Sequence, residues 1–312
     1  MAGINRTTLY VGPGHLLYGA GLTSKLYCTK ISVALKTTWL DIMPGGFGRI
    51  DRRKHDEVIT ISISALGAFN AGLAALLWPY GATAMGTSIF GATDTAWGIQ
   101  TLGGQKFTFH NAAVTRMPSI RIGAGQMIYS DFELTAIIKN ATDRTNAAAL
   151  YTLAANAWAG QPAKADYVML PAAATWALGS PETIVAKKGW QVDFDLALDW
   201  QVSEDFGTFD ALFRHMEVRA RCLPMGYAES RWAELKIQDT GNGIGTNARV
   251  QADLTIAQAN PGATIVLKNA AFDNQAMEFA DNQDRMGEVV WIATRDISSG
   301  YGTLFSIGVT PA

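Results

Sequence analysis

The chain has few of the residues on which metal sites and disulfide frameworks depend. Its 312 residues include only 2 cysteines, Cys28 and Cys222, and 4 histidines. Two thiols are too few for a disulfide framework or a zinc cluster, and we expect both to be buried and reduced. The histidines are scattered, with no second histidine at metal-ligand spacing. The sequence therefore predicts no bound metal and no cofactor.

Charge is scarce as well. Charged residues make up 17% of the chain and the formal net charge is −2. A general nucleic-acid-binding protein normally carries a basic excess, so this class is disfavoured. Apolar residues make up 48%, which is typical of a globular protein. Little charge together with 31 glycines and 9 tryptophans predicts that another subunit covers part of the surface.

The sequence also lacks recognisable catalytic motifs. It has no G-x-S-x-G element, and neither cysteine lies in a nucleophile setting. The glycines of "YVGPGHLLYGAG" at 10–21 resemble a phosphate-binding loop, but no lysine follows Gly19 at the position that a P-loop requires. The glycine-rich stretch at 241–245 has no strand–loop–helix context. We therefore expect no enzymatic activity and interpret 10–21 as a chain reversal before the first long strand.

One charge-free stretch has the length of a membrane span. No charged residue occurs over 58–93, but this stretch contains Asn70 and Pro79, and 58–64 alternates like a strand. We predict instead a short surface helix over 68–78, ended by Pro79, and no membrane span. The N-terminal sequence lacks the apolar run of a signal peptide, so we expect synthesis in the cytoplasm.

The chain repeats itself at an offset close to half its length. The tripeptide Asn-Ala-Ala ends an alternating apolar stretch at 107–113 and again at 265–271, an offset of 158. The sequence "AGLAALL" at 71–77 matches the charged "SRWAELK" at 230–236 at an offset of 159, and a bilayer helix would not tolerate those charges. Because such matches keep their order and offset, we predict a tandem duplication. A helix that joins the two copies is expected over 142–159.

The duplication predicts two similar domains, 1–155 and 156–312. The clearest strand, 190–202, alternates strictly between apolar and polar residues, so one face is expected to contact a core and the other water or a polar cavity. Its counterpart in the first domain is 31–39, and 58–64 has the same period. The protein is therefore predicted to be mainly β, with two tandem β-sandwich or partial-barrel domains that each carry one short α-helix.

Two passages resemble the tail tube proteins of long-tailed bacteriophages. They are "FTFHNAAVTRMPSIRIGAGQMIYSDFELTAII" and "IVLKNAAFDNQAMEFADNQDRMGEVVWIATRD", one in each predicted domain. The resemblance implies subunits that form stacked rings, in which long strands close a continuous inner β-barrel around the DNA passage. Variants with a duplicated domain form a pseudo-sixfold ring from three subunits. We therefore expect a homotrimeric ring in the virion tail, with a homohexamer as the alternative.

The resemblance also implies partners. Besides other copies of the chain, these are tail proteins such as the tape measure and the tail terminator. DNA is expected to pass through the tube without specific binding.

Candidate lumen residues follow from this resemblance. A passage for DNA should not bind phosphate tightly, because tight binding would slow ejection. Polar strand positions suit that role, and the candidates are Asp193, Asp195, Asp199, Thr60, Ser62 and Ser64. Arg219 and Arg221 lie on the stretch that matches Thr60 and Ser62, so a purely acidic lumen is wrong if these arginines face it.

The densest charge run, "DRRKHDE" at 51–57, leads into a strand. One interpretation is a solvated hairpin arm. The other is an inter-subunit or inter-ring loop formed by Asp51, Arg52, Arg53, Lys54, His55 and Asp56. Salt dependence of assembly would separate the two.

Other functions stay open at this point. The alternative is another β-rich virion component, such as a tail hub, a tail terminator or a capsid decoration protein. An enzyme, a nucleotide-binding protein and a secreted β-sandwich module are further classes. Asp193 and Asp195 lie about 7 Å apart on one strand face, as a glycosidase pair could, but a solvated acidic strand face is far commoner.

Overall fold

The structure is a computed structural model. It describes residues 14–43, 45–46, 48–65, 70–90, 97–101, 103–123, 130–138, 150–155, 173–176, 182–204, 207–224, 252–259, 262–277, 286–295 and 302–310. Within these ranges the chain forms sixteen strands and one α-helix, so the prediction of a mainly β protein is confirmed.

The first half contains nine strands and the helix. The strands are β1 (His15–Tyr18), β2 (Ser24–Ile42), β3 (Asp51–Ala65), β4 (Trp97–Gln100), β5 (Gln105–Phe109), β6 (Ala112–Arg116), β7 (Ile120–Ile122), β8 (Phe132–Ile137) and β9 (Tyr151–Ala155). Helix α1 (Ala71–Leu77) follows β3, and a 3-10 turn at Ala20–Leu22 joins β1 to β2. This turn agrees with the interpretation of 10–21 as a chain reversal, although 1–13 lie outside the described residues.

The second half contains the other seven strands. They are β10 (Ala173–Trp176), β11 (Glu182–Ser203), β12 (Gly207–Pro224), β13 (Ala252–Ala259), β14 (Gly262–Met277), β15 (Met286–Ile292) and β16 (Phe305–Thr310). The two glycine-rich and charged stretches at 241–245 and 230–236 lie outside the described residues, so the predicted second helix is not tested.

The strands form two curled antiparallel sheets. The first has the order β6-β8-β3-β2-β1-β4-β5-β9, and the second has the order β10-β13-β14-β15-β12-β11-β7. In the second sheet β10 also pairs with β11, so the series of pairings returns to its start, and β16 pairs with β14. This curvature agrees with the coarser expectation of a partial barrel.

The two halves pair their first strands in the same register. In the first half, His15 of β1 lies opposite Tyr27 of β2. In the second half, Ala173 of β10 lies opposite Val185 of β11, and each of these residues is 158 positions after its counterpart. The strand pairings thus follow the repeat that the sequence indicates.

The same local bend also occurs twice at this offset. Asn111, between β5 and β6, and Asn269, within β14, both have a φ of 44°. Positive φ is uncommon outside glycine and is best tolerated by asparagine, which explains why both copies carry asparagine here. The domain boundary after residue 155 stays a prediction, because 156–172 lie outside the described residues.

Helix α1 begins at a capping residue and ends before a proline. Asn70 accepts a hydrogen bond from the backbone N–H of Leu73 at 2.9 Å, which satisfies one of the free donors at the helix start. Leu73 and Leu77 are buried, and Pro79 prevents continuation. The predicted helix is therefore confirmed over Ala71–Leu77, and 68–69 of the predicted range lie outside the described residues. No helix among the described residues is long and apolar enough to cross a membrane.

The prediction of a joining helix over 142–159 is wrong for 151–155, which form a strand. Tyr151–Ala155 forms β9, which pairs with β5, and the ring of Tyr151 lies 6.0 Å from that of Phe107. Pairing with the sheet outweighs the helix propensity of the alanines. The rest of 142–159, apart from Leu150, lies outside the described residues.

Residues of both halves share one hydrophobic core. Strand β7 of the first half pairs with β11 of the second, with Ile122 opposite Trp190. Trp78, at the end of α1, lies with its ring centroid 6.2 Å from that of Phe194. The first half therefore packs directly on the long strands of the second.

Candidate functional site

Two long hairpins carry most of the candidate residues. The first hairpin consists of β2 and β3, and the second consists of β11 and β12; each pairs over most of its length. Because side chains alternate across a strand, each hairpin has one polar and one apolar face. The register relates the two hairpins: Ser32 lies opposite Ser62, and Gln191 lies opposite Arg221, each 159 positions later.

The polar face of the second hairpin joins acidic and basic side chains. Asp193 lies opposite Arg219, and Asp195 lies opposite Glu217. Nε of Arg221 lies 3.2 Å from Oδ2 of Asp193, and Arg219 forms an ion pair with Glu217. The first contact crosses the hairpin diagonally and the second lies within β12, and together they hold both arginines beside carboxylates.

These side chains surround an open concavity of about 420 Å³. Its lining residues are Asp193, Asp195, Glu217, Arg219, Arg221, Glu288 and Val290. Glu288 comes from the neighbouring strand β15, and its Oε1 lies 3.9 Å from Nη1 of Arg221. Four carboxylates and two guanidinium groups give the concavity a formal charge of −2.

The two arginines correct the expectation of a purely acidic face. Both lie on the same face as Asp193 and Asp195, so the face is mixed in charge. The hydrogen bond from Arg219 to Glu217, with their ionic attraction, raises the pKa of the guanidinium above its usual value. Each positive charge therefore has a carboxylate next to it, which reduces its attraction for phosphate.

Asp199 lies further along β11, opposite Leu212, and does not line the concavity. Nε2 of Gln201 donates a hydrogen bond to its Oδ2 at 3.1 Å, as Gln191 does to Asp193 at 2.7 Å. The three predicted aspartates thus share a strand, but only Asp193 and Asp195 are brought together.

The polar face of the first hairpin carries hydroxyl groups instead. Thr60, Ser62 and Ser64 lie opposite Ala34, Ser32 and Lys30. Oγ of Ser62 lies 3.5 Å from Oε2 of Glu133 on β8. The three predicted residues therefore lie on one face, as alternation requires.

Sequence reasoning missed several members of these two faces. Lys30 and Lys36 alternate in phase with Ser32, and this period would have identified them. Glu133 and Glu288 come from other strands, and only the sheet pairing brings them to the hairpins.

The charge run at 51–56 belongs to strand β3. The prediction that these residues form a loop is therefore wrong, and the segment is one arm of a hairpin, as in the other interpretation. Asp56 bonds to Thr208 of the second half, and the Arg52 guanidinium lies 5.2 Å from the centre of the Trp39 ring. Arg52 also contacts Asp41, at 3.4 Å. Backbone pairing with β2 makes this segment extended, because both strands continue to the tip. A contact of these residues with another subunit or ring stays a prediction.

The two cysteines are buried and free, as expected. Burial raises the pKa of each thiol to about 12, so both are protonated near neutral pH and unsuited to nucleophilic attack. Among the described residues, no group of three or more metal-ligating side chains is placed to hold an ion.

The site therefore consists of two related hairpin faces, one hydroxyl-rich and one of mixed charge. The chain matches no protein-family model, and comparison with curated proteins gives no match either.

Proposed function

We propose that the protein is a structural virion protein, the tail tube subunit of a long-tailed bacteriophage. Three copies would form a pseudo-sixfold ring, and stacked rings would form the conduit for DNA. The carrying observation is the pair of long hairpins, which repeat the same register 159 residues apart and each present one polar face. Because each chain contributes two related hairpins, a ring of three chains would contain six similar hairpins.

Strand edges support a ring. Beyond Tyr27, β2 pairs with β3 alone among the described residues, so no described strand occupies its other edge over 28–42. Long open edges favour pairing with another chain, and closure into a barrel removes them. A head-to-tail contact with a fixed rotation closes into a ring, and rings of this kind can stack.

The polar faces support a lumen that lets DNA pass. The second hairpin has a net negative concavity in which each arginine contacts a carboxylate, and the first hairpin presents hydroxyl groups together with Lys30 and Lys36. Phosphate affinity depends on cationic groups that can release counterions, and here the arginines are already paired. The concavity of the second hairpin therefore repels a phosphate backbone, which suits rapid transit.

Negative-stain electron microscopy of the purified protein tests this function. The proposal predicts threefold rings or tubes of stacked rings with a central channel. A protein that stays monomeric over a wide range of concentration and salt, and forms no ring or tube, would contradict it. Rings made from six chains would keep the tube function but change the copy number.

A further inference from the structure

The apolar face of the second hairpin is covered partly by the first half of the same chain and partly by β16 of its own half. Phe194 is only 8% exposed, and its ring lies 6.2 Å from Trp78 of the first half and 4.9 Å from Phe305. Val192, on the same face, is fully buried. Trp78, at the end of α1, and Phe305, on β16, therefore help to remove this apolar face from water.

The first half also pairs with the edges of the second hairpin. Ile120–Ile122 adds to the outer edge of β11 at 190–192. On β12, the backbone N–H of Gly86 donates to the carbonyl of Phe213 at 2.8 Å, and that of Phe213 donates to Thr87 at 2.8 Å. The first half thus supplies three things to the second hairpin: part of its apolar cover, the edge strand β7 beside β11, and backbone hydrogen bonds from 86–87 to β12.

The first hairpin has the same register but lacks this cover among the described residues. Leu35 and Val33 lie opposite Ile59 and Ile61, as Phe194 and Val192 lie opposite Val218 and Ala220, 159 positions later. Leu35 is 55% exposed and Val33 is 51% exposed, whereas Ile59 and Ile61 are buried. On this apolar face the two β2 side chains are therefore exposed, and they lie next to the edge of β2 that no described strand occupies.

We propose that this β2 surface, defined by the edge at 28–42 and the side chains of Val33 and Leu35, binds the second half of another copy of the chain. The contact would reproduce the one by which the first half covers the second hairpin. It deepens the proposed function and rests on it for the closure of successive contacts into a ring.

The register of the two hairpins identifies the occupant. The β2 surface offers the same strand pairing and equivalent apolar positions as the covered surface of the second hairpin. The second half repeats the strand pattern of the half that supplies the cover, and its sequence at 230–236 matches that of α1. A second copy therefore carries, at 230–236, the sequence counterpart of the helix that supplies part of the cover. The contact is head-to-tail, because the two surfaces that meet belong to different halves.

A substitution at the centre of the β2 surface tests the contact. Leu35→Asp would place a carboxylate in the buried interface, while the isolated chain still exposes this position to water. We expect self-association of the full-length protein to weaken by at least about 30-fold, the effect of losing a central apolar anchor. Leu153→Asp is the matched control, since Leu153 is 56% exposed and lies on β9. Circular dichroism should show the same fold in both variants.

Mixing the full-length proteins tests the direction of the contact. A tagged Leu35→Asp chain keeps its second half intact, so we expect it to bind the wild-type β2 surface and to be captured with wild-type protein. If the contact instead joined two β2 surfaces, the variant would bind neither itself nor the wild type. Failure of this capture would overturn the proposal, as would wild-type self-association of Leu35→Asp.

Native mass spectrometry and electron microscopy together separate this contact from the tube function. If Leu35→Asp weakens small oligomers but the wild type forms no rings or tubes, the contact stands and the tube function fails. If both proteins form tubes, the tube function stands and the contact proposed here is wrong.

Discussion

Asp56 of the first hairpin accepts two hydrogen bonds from Thr208 of the second. The backbone N–H of Thr208 donates to Oδ1 at 3.0 Å, and the Thr208 hydroxyl donates to Oδ2 at 2.9 Å. The two residues are 152 positions apart, so this carboxylate ties the halves of the chain together at the start of β12.

We expect Asp56→Ala to lower the free energy of unfolding by about 1–3 kcal/mol, because the N–H of Thr208 loses its partner in a partly buried site. Urea denaturation measures the change. A double-mutant cycle with Thr208→Ala is the control: the two effects should be less than additive if the residues interact. Thr208→Ala keeps the backbone N–H, so additive effects would contradict only a stabilising bond from the Thr208 hydroxyl.

Gly189 lies at a second joint between the halves. Its φ is +83°, and a Cβ at this position would lie 2.1 Å from the carbonyl oxygen of Ile122 on β7. We therefore expect Gly189→Ala to disrupt the pairing of β7 with β11, through both backbone strain and a clash that a flexible side chain cannot relieve.

Gly46 provides a matched control for that substitution. Its φ is +87°, but no atom lies within 4 Å of the added Cβ, so Gly46→Ala introduces strain without a clash. The thermal midpoint of Gly189→Ala should fall by several degrees more than that of Gly46→Ala, since about 1 kcal/mol corresponds to 2–4 °C in larger domains. Equal midpoints would show that the β7 joint contributes little.

The sequence predicts elements well where one local pattern dominates. Strict alternation over 190–202 predicts β11, and Pro79 predicts the end of α1, whereas the cap at Asn70 is seen only in the structure. Over Tyr151–Ala155 the alanines favour a helix, but pairing with β5 decides for a strand. That pairing joins residues about 45 positions apart, and no local pattern contains it.

The candidate site was also predictable only where a local pattern determines it. Alternation places Asp193 and Asp195 on one face, and Thr60, Ser62 and Ser64 on another. The charge of each face also depends on which strands lie alongside, because Glu288 and Glu133 arrive from β15 and β8. The exposure of Leu35 and the burial of Phe194 differ for a related reason: among the described residues, the other half of the chain covers the second hairpin and leaves Leu35 exposed.

Cys28 and Cys222 should be almost unreactive in the folded protein. Burial raises both thiol pKa values from 9.0 to about 12, which lowers the thiolate fraction at pH 8 by about 1000-fold. A thiol-specific chromogenic reagent should therefore modify neither residue at pH 8, and should modify both after denaturation in urea. Rapid modification of the native protein would show that these cysteines are accessible.

The same shifts predict a dependence of stability on pH. Because folding raises both pKa values, the thiols' contribution is complete below about pH 9 and is lost as the pH rises from about 9 to about 12. Within that window, each pH unit of increase lowers the free energy of unfolding by about 1.4 kcal/mol for each thiol. Other groups titrate there too, so the measurement is the difference between the wild type and Cys28→Ala with Cys222→Ala. The variant should lose less stability between pH 9 and pH 11, and identical losses would contradict the prediction.

Reversing the charge of the second hairpin tests whether its polar face lines the lumen. Asp193→Lys with Asp195→Lys changes the formal charge of the concavity from −2 to +2 and leaves Arg219 and Arg221 without their nearest carboxylate partners on β11. Both positions are on the polar face, so we expect the fold and the assembly of tubes to persist. Assembled tubes should now retain short duplex DNA at low salt and release it as salt increases, because phosphate binding displaces counterions.

Asp131→Lys with Glu204→Lys is the control, since both residues are exposed and outside the concavity while the total charge changes equally. This control should retain no DNA, which would separate a local effect in the lumen from general attraction to a more basic protein. Phage particles carrying the Asp193 and Asp195 substitutions should also eject DNA poorly and form fewer plaques. Wild-type plaque numbers together with no DNA retention would place this face outside the lumen, because a passage lined with net positive charge must slow a polyanion.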